Sequence, residues 1–314
     1  MAELFGTDGI RGVAGEFPLD KRTVSIIGAS LARHFGEMLG RPPRFVSGRD
    51  TRESGEWIEQ SLHSGAVGGG ASCLSAGVIT TPGVAYITGE HEFDAGIVIS
   101  ASHNPYQDNG IKIFSPTGKK IDDDTEKKIE SDIAADLETV SPADHELDYS
   151  HAEEFRRSYV THLSGSIKPF ATDLKIVIDC ANGASSSLAP GVFEGLRSNI
   201  VVINDSPNGR NINDGCGSLH LEKLQAAVLE QKADMGVAFD GDADRALFVD
   251  ENGAIVDGDA TLWIMSRYLR EHGKLANSKV VATVMSNIGL ELALKSIGVE
   301  LLRTPVGDKY VLEE

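Results

Sequence analysis

The sequence predicts an α/β protein built from successive units. Strand-sized runs rich in Val and Ile alternate with segments of helical periodicity. The same alternation recurs in three stretches of the chain, as expected for layered α/β domains. No apolar run approaches the roughly 18 to 20 residues that a membrane span needs. For 314 residues we therefore expect two or three domains and no membrane contact.

The first predicted unit covers residues 1–150. Its strands and helices alternate in this order: strand 42–48, helix 54–67, strand 94–100, strand 111–114 and helix 122–137. Between 136 and 154 the periodicity fades and acidic residues gather around Ser141 and Pro142. We place a domain boundary near residue 150, because such segments join compact units.

The second unit, 151–251, and the third, 252–314, repeat the pattern. The second opens with a helical run through Phe155, Tyr159 and Leu163. Its later elements are strand 173–180, strand 200–203, helix 219–231 and strand 235–240; the third unit has helix 262–271, strand 279–284, helix 289–297, strand 299–304 and a helix starting at 310. Since a two-stranded sheet seldom makes a stable layered core, we expect the third unit to be incomplete and the polypeptide to be truncated.

Composition restricts the classes of partner. The 29 Lys and Arg residues are outnumbered by 47 Asp and Glu residues, which gives a net charge of −18 and disfavours nucleic-acid binding. The N-terminus has no basic and apolar signal segment. Three scattered cysteines form neither a disulfide framework nor a zinc motif. These features favour a cytoplasmic protein.

A small-polar loop between two predicted strands contains Ser102. In VISASHNPYQDNGIKIF, Ser102 is followed by His103, and Pro105 biases Asn104 towards an extended backbone. A hydroxyl held exposed at a strand end suits a nucleophile or a phosphoryl acceptor. The alternative is an ordinary polar turn capped by Ser and Asn, and the spacing alone favours that alternative.

Three carboxylates alternate with small residues in VAFDGDADRALFVD. Asp240, Asp242 and Asp244 would repel one another in a tight loop unless a cation lay between them, and oxygen ligands indicate a hard ion such as Mg²⁺. An EF-hand is rejected, because Arg245 replaces the required glycine and the flanks are strand-like. A solvated acidic turn stays an alternative.

Two further segments have the composition of anion-binding loops. FGTDGIRG places Arg11 among glycines, and GRDTRESG places Arg49 and Arg52 at a strand exit. For GRDTRESG a structural pair of Arg49 with Asp50 and a helix cap at Ser54 is at least as favoured. The loop 206–220, rich in Asn and Gly, either shapes a domain interface or is a simple turn cluster. Walker A, HExxH and GxSxG motifs are missing from the sequence.

Taken in order, FGTDGIRG, GRDTRESG, ISASHNPYQDNGIKIF, NINDGCGS, FDGDADR and TPVGDKYV resemble the α-D-phosphohexomutase superfamily. Within this superfamily, the motif sequences are most similar to those of the bacterial branch that acts on glucosamine phosphates. The resemblance implies successive three-layer α/β/α domains with mixed sheets, the third incomplete and the fourth absent. It also implies a phosphoserine enzyme that interconverts glucosamine 6-phosphate and glucosamine 1-phosphate through glucosamine 1,6-bisphosphate.

The resemblance also implies roles for particular residues. Ser102 would carry the phosphoryl group and, with three carboxylates, bind one Mg²⁺ per active site; the carboxylates are Asp240, Asp242 and Asp244. Residues near the phosphoryl group would be Arg11, His103, Asn104, Lys112 and Arg245. His103 or Lys112 would move the proton of the attacking hydroxyl, and the sequence does not choose between them. Glucosamine 1,6-bisphosphate or a similar compound would be the activator, and a homodimer is a family expectation.

The sequence departs from the family in two places. The sugar-recognising GExSG loop and the RxSGT phosphate loop are not found in these 314 residues. Because remote contacts supply orientation energy, a catalytically incompetent fragment is one alternative. The other is a phosphomannomutase or phosphoglucomutase of the same superfamily. A phosphatase is disfavoured, because Asp240, Asp242 and Asp244 lie in DGDADR and not in a DxDxT setting.

Overall fold

The structure is a computed structural model and describes residues 4–6, 9–136, 145–166, 173–194 and 199–314. Its described strands form three sheets, of six, five and two strands. Helices cover these sheets, and the prediction of successive α/β units with mixed sheets is confirmed. Among the described residues, no helix combines the length and apolar character that crossing a bilayer requires.

The first sheet contains six strands in the order β1-β2-β6-β5-β3-β4. Their bounds are β1 Phe5–Gly6, β2 Gly9–Val13, β3 Arg44–Arg49, β4 Ser72–Val78, β5 Ala95–Ile99 and β6 Asp108–Phe114. Strand β3 pairs in parallel with β4 and β5, whereas β6 runs antiparallel to β5 and β2. The sheet is therefore mixed, and its β5–β6 connection contains Ser102.

Helices cover both faces of the first sheet. Their bounds are α1 Lys21–Leu39, α2 Gly55–Gly68, α3 Thr81–Glu90, α4 Asp123–Asp136 and α5 Ala152–Ser166. One apolar cluster joins the sheet to α1, α2 and α4, and a second cluster joins it to α3 and α5. Phe155 and Tyr159 of α5 lie in this second cluster, so the helix after the predicted boundary packs on the first sheet.

The second sheet has the order β11-β10-β9-β7-β8. Its elements are β7 Lys175–Asp179, α6 Ala189–Glu194, β8 Asn199–Ile203, α7 Glu222–Gln231, β9 Met235–Phe239, β10 Ala246–Asp250 and β11 Ile255–Val256. The third sheet pairs β12 Lys279–Thr283 with β13 Glu300–Thr304 in parallel, accompanied by α8 Gly258–Glu271, α9 Ile288–Ser296 and α10 Asp308–Glu313. The β9–β10 hairpin contains the three Asp residues.

Some elements differ from the sequence prediction. The nineteen-residue helix α1 and the elements β4 and α3 have no counterpart in it. Helix α7 begins at Glu222 rather than at 219, because a turn precedes it. The predicted helix end at 137 and residues 137–144 of the predicted linker lie outside the described residues. The domain boundary near 150 stays a prediction.

Candidate active site

Ser102 and the acidic loop meet where strands of two different sheets end. Ser102 follows β5, and Asp240 follows β9. In an open α/β sheet, the carboxyl ends of strands are where ligands bind. A Cβ on Gly241 would lie 2.6 Å from the Ser102 carbonyl oxygen, so only glycine permits this approach of the two loops. The site is therefore built jointly by the first and second units.

The backbone of Ser102 adopts a left-handed conformation, with φ +55°. For a residue with a Cβ this conformation costs about 1–3 kcal/mol and persists only where the surroundings enforce it. The Ser102 amide donates to Ser100 Oγ at 2.9 Å. Its hydroxyl donates to Asp240 Oδ2 at 2.5 Å and lies 3.3 Å from His103 Nδ1. The strained backbone thus directs the buried hydroxyl at the acidic loop.

The three predicted carboxylates converge. One oxygen from each of Asp240, Asp242 and Asp244 lies within 4.8 Å of the others. Asp240 and Asp242 are buried, and Asp242 Oδ1 has no hydrogen-bond partner among the described residues. A buried carboxylate oxygen without a donor is costly, and a cation would satisfy it. An oxygen-only donor set of this kind fits a hard divalent ion.

The electrostatics of the loop show how crowded the negative charge is. Burial, together with the charges of Asp242 and Asp244, raises the pKa of Asp240 to about 7. Burial acts the same way on Asp242, but the charge and hydrogen bond of Lys112 outweigh it and hold the pKa of that carboxyl below its usual range. The protein therefore already places one cation against the cluster.

Lys112 is that cation. It projects from β6, and its Nζ donates to Asp242 Oδ2 at 2.7 Å and to Asp244 Oδ2 at 3.0 Å. Burial alone would lower its pKa, but these two carboxylates raise it above the ordinary value. Lys112 therefore stays charged at neutral pH.

The other predicted site residues surround Ser102. His103 is half-buried, and burial with the charges of Arg245 and Arg11 lowers its pKa. The Arg245 amide donates to Asp240 Oδ1 at 3.2 Å, while the residue is exposed. Arg11 lies on β2 opposite Gly110 of β6. Asn104 donates from Nδ2 to Asp108 at 2.9 Å, which fixes the loop after Ser102.

Sequence reasoning missed Thr81, at the N-terminus of α3. Its amide donates to the Asp242 carbonyl at 3.0 Å, and its hydroxyl donates to Asp242 Oδ2 at 2.6 Å. The hydroxyl bond joins an element of the first unit to a candidate metal ligand of the second. Nothing in the local sequence marks Thr81, because its partner is remote in the chain.

The GRDTRESG segment does not expose anion-binding groups as its composition predicts. Arg49 pairs with Glu59 at 2.7 Å, and the expected Arg49–Asp50 pair is wrong. Asp50 pairs instead with Arg52, and both side chains are fully buried. Ser54 precedes α2 but makes no capping bond from its side chain. The buried pair faces the Ser102 loop rather than solvent.

Family models match the chain in three consecutive segments. They are described as phosphoglucomutase/phosphomannomutase α/β/α domain I at residues 2–139, domain II at 157–253 and domain III at 257–314. Phosphoglucosamine mutase of Solibacter usitatus is 51% identical over 313 residues, which cover 99% of this chain and 70% of that protein. The chain belongs to the phosphoglucomutase/phosphomannomutase family.

Another member of this family, phosphoglucosamine mutase of Mycobacterium tuberculosis, is 48% identical, and the match covers 100% of this chain and 71% of that protein. A solved phosphoglucomutase/phosphomannomutase family protein from Burkholderia thailandensis superposes with a TM-score of 0.82 at 25% identity, covering 98% of this chain and 67% of that one. Aspergillus fumigatus N-acetylphosphoglucosamine mutase, solved with GlcNAc-6P and magnesium, has a TM-score of 0.60 at 18% identity over 99% of this chain and 64% of that one. At this identity, the similarity to the Aspergillus fumigatus structure supports the fold alone.

Proposed function

We propose that this member of the family is a phosphoglucosamine mutase that interconverts glucosamine 6-phosphate and glucosamine 1-phosphate. Support comes from relatives named phosphoglucosamine mutase, which are 48–51% identical over nearly the whole chain. The observation that carries the proposal is the 2.5 Å contact between the Ser102 hydroxyl and Asp240 inside a cluster of three carboxylates. A phosphorylated serine there would face a built cation site.

The candidate metal ligands are Asp240, Asp242 and Asp244, together with an oxygen on Ser102. Their oxygen donors suit Mg²⁺. When bound, Mg²⁺ supplies Lewis-acid stabilisation of the charge on the transferring phosphoryl group. A phosphoserine adds about −1.5 to −2 charges to the cluster. A bound cation would therefore stabilise the phosphorylated serine, and the phosphate would strengthen cation binding.

The proposed transfer breaks one bond and forms one. The P–O bond to Ser102 Oγ breaks and a P–O bond to a sugar hydroxyl oxygen forms; the hydroxyl proton passes to a base, and Ser102 Oγ takes up a proton. His103 suits the proton exchange at Ser102 Oγ, since its Nδ1 lies 3.3 Å from that oxygen. Its lowered pKa favours the neutral ring, which accepts the serine proton when Ser102 is phosphorylated and returns it when Ser102 leaves. Lys112, already bound to two carboxylates, suits charge stabilisation instead. Returning the other phosphate of the bisphosphate to Ser102 completes the cycle.

Relative kcat/KM values on glucosamine, mannose and glucose phosphates test the proposal. The assay contains Mg²⁺ and glucosamine 1,6-bisphosphate as activator, and it couples product formation to a reporter enzyme. The expected result is a clear preference for glucosamine phosphates. A preference for mannose or glucose phosphates would assign the chain to another activity of the family. The activator, a homodimer and a cytoplasmic location stay predictions.

A further inference from the structure

The carbonyl oxygens of Ser102 and Asn104 share two buried donors. Arg52 Nη2 donates to the Ser102 carbonyl at 3.2 Å and to the Asn104 carbonyl at 2.6 Å. Asn213 Nδ2 donates to the same two oxygens at 2.9 and 3.1 Å. Arg52 comes from the first unit, whereas Asn213 comes from the loop between β8 and α7 in the second. We call these two side chains the carbonyl clamp.

The clamp is itself held in place by buried partners. Asp50 accepts from the Arg52 amide at 3.0 Å and from its guanidinium. Asp50 Oδ2 also accepts from Ser100 Oγ at 2.5 Å, and Ser100 Oγ accepts from the Ser102 amide. Two chains of hydrogen bonds therefore connect Asp50 to the backbone of Ser102. One runs through Ser100 to the Ser102 amide, and the other runs through Arg52 to the Ser102 carbonyl oxygen. The charge of Arg52 is neutralised by Asp50, and its side chain is too buried to bind substrate.

We propose that Arg52 and Asn213 are positioning residues that hold the Ser102 loop in its left-handed conformation for phosphoryl transfer. This inference rests on the proposed function. A left-handed backbone at a residue with a Cβ relaxes unless its surroundings enforce it. The clamp enforces it by binding the carbonyls on either side of His103. Because Asn213 belongs to the second unit, the loop reaches this conformation only when both units are docked.

Asn213→Asp is the decisive variant. Asn213 itself has φ +58°, a conformation that Asp also tolerates, so the substitution keeps size and backbone while removing both donors. Arg52→Lys is the second variant, because it keeps the charge beside Asp50 but loses the fork that reaches two carbonyls. Asn211→Asp is the matched control: this residue lies in the same loop and donates to Ser206 O instead.

Three measurements are made on this chain and its variants. The rate of Ser102 phosphorylation by glucosamine 1,6-bisphosphate with Mg²⁺ is followed by intact mass. Mn²⁺ affinity is measured by calorimetry, and hydrogen exchange is measured in peptides covering 99–106. Both clamp variants are expected to be phosphorylated roughly tenfold to hundredfold more slowly, with faster exchange and with Mn²⁺ affinity changed less than threefold. Asn211→Asp is expected to match the parent chain.

Two results would overturn the inference. One is a parental phosphorylation rate in Asn213→Asp. The other is a parallel loss of Mn²⁺ binding and folded protein, which would mean that the residue only supports the fold. If the parent chain itself takes up no phosphoryl group, the proposed function fails for this chain. Hydrogen exchange then decides the inference by itself: unchanged exchange in Asn213→Asp overturns it, and faster exchange supports it.

Discussion

At the residue scale, Lys112 substitutes for part of the positive charge that a metal would provide. Its side chain is 4% exposed and that of Asp242 is 1% exposed, so the ion pair is screened little by water. Removing one partner of a buried pair leaves an uncompensated charge. Lys112→Met is expected to lower the free energy of unfolding in EDTA by about 3 kcal/mol. Urea unfolding measures this loss.

Adding Mg²⁺ tests whether the loss of stability in Lys112→Met comes from the acidic cluster. The metal should stabilise Lys112→Met more than the parent chain, because it replaces the missing cation. Lys120→Met is the matched control. Its partner Asp308 is 70% exposed, so we expect the free energy of unfolding to change by less than about 1 kcal/mol. Equal Mg²⁺ stabilisation of the parent and of Lys112→Met would show that Lys112 does not offset the charge of the metal ligands.

His63 gives a prediction for pH. Burial, with a smaller contribution from nearby His145, lowers the pKa of His63 to about 3. The unfolded chain, with an ordinary pKa of 6.5, gains a proton between pH 7 and 5 that the folded protein does not. Stability therefore falls as pH falls, and His63 accounts for about 2 kcal/mol of the loss between pH 7 and 5.

His63→Gln should remove this part of the acid sensitivity, because Gln does not titrate. Urea unfolding at pH 7 and pH 5 measures the difference for each protein. Exposed His220, changed to Gln, is the control and should keep the parental difference. A parental pH dependence in His63→Gln would mean that another group takes up the proton.

At the element scale, α1 and α2 pack at backbone distance. A Cβ on Gly65 would lie 1.8 Å from the Ser25 carbonyl oxygen, and one on Gly28 would lie 2.1 Å from the Leu62 carbonyl oxygen. Gly65→Ala must separate the helices and should lower the free energy of unfolding by about 3 kcal/mol. Thermal or urea unfolding measures the change.

Gly68 is the matched control within the same helix. A Cβ there would meet no heavy atom within 4 Å. Since Ala is the better helix former, Gly68→Ala should leave stability unchanged or raise it by up to about 1 kcal/mol. Similar losses in Gly65→Ala and Gly68→Ala would contradict close packing as the cause.

Elements with a clear apolar period were predictable from the sequence, and others were not. Strands β5 and β7 contain the Val/Ile runs 97–99 and 176–178, and β9 is an apolar segment between Asp234 and Asp240. Helix α1 was missed, although Asp20 accepts from the Thr23 amide at its start. Gly28 of α1 permits the close approach to α2, a requirement that only the tertiary structure reveals.

At the scale of the whole molecule, the site exists because two units dock. The motifs around Ser102 and Asp240 were readable from the sequence, since each follows a strand and has an unusual composition. Thr81 was not readable, because it acts on a loop that is remote in the chain. Arg52 and the loop 206–220 were singled out from the sequence, but the hydrogen bonds of Arg52 and Asn213 to the Ser102 loop were not predicted. Their importance comes from the packing of the units and not from any local pattern.

The most direct test of the central claim is intact-mass spectrometry with peptide mapping, after incubation with Mg²⁺ and glucosamine 1,6-bisphosphate. We predict one added phosphoryl group, located on Ser102, and none on Ser102→Ala, because the buried Ser102 hydroxyl contacts Asp240 in the acidic cluster. A phosphoryl group on another residue, or no phosphoryl group on the parent chain, would contradict the account.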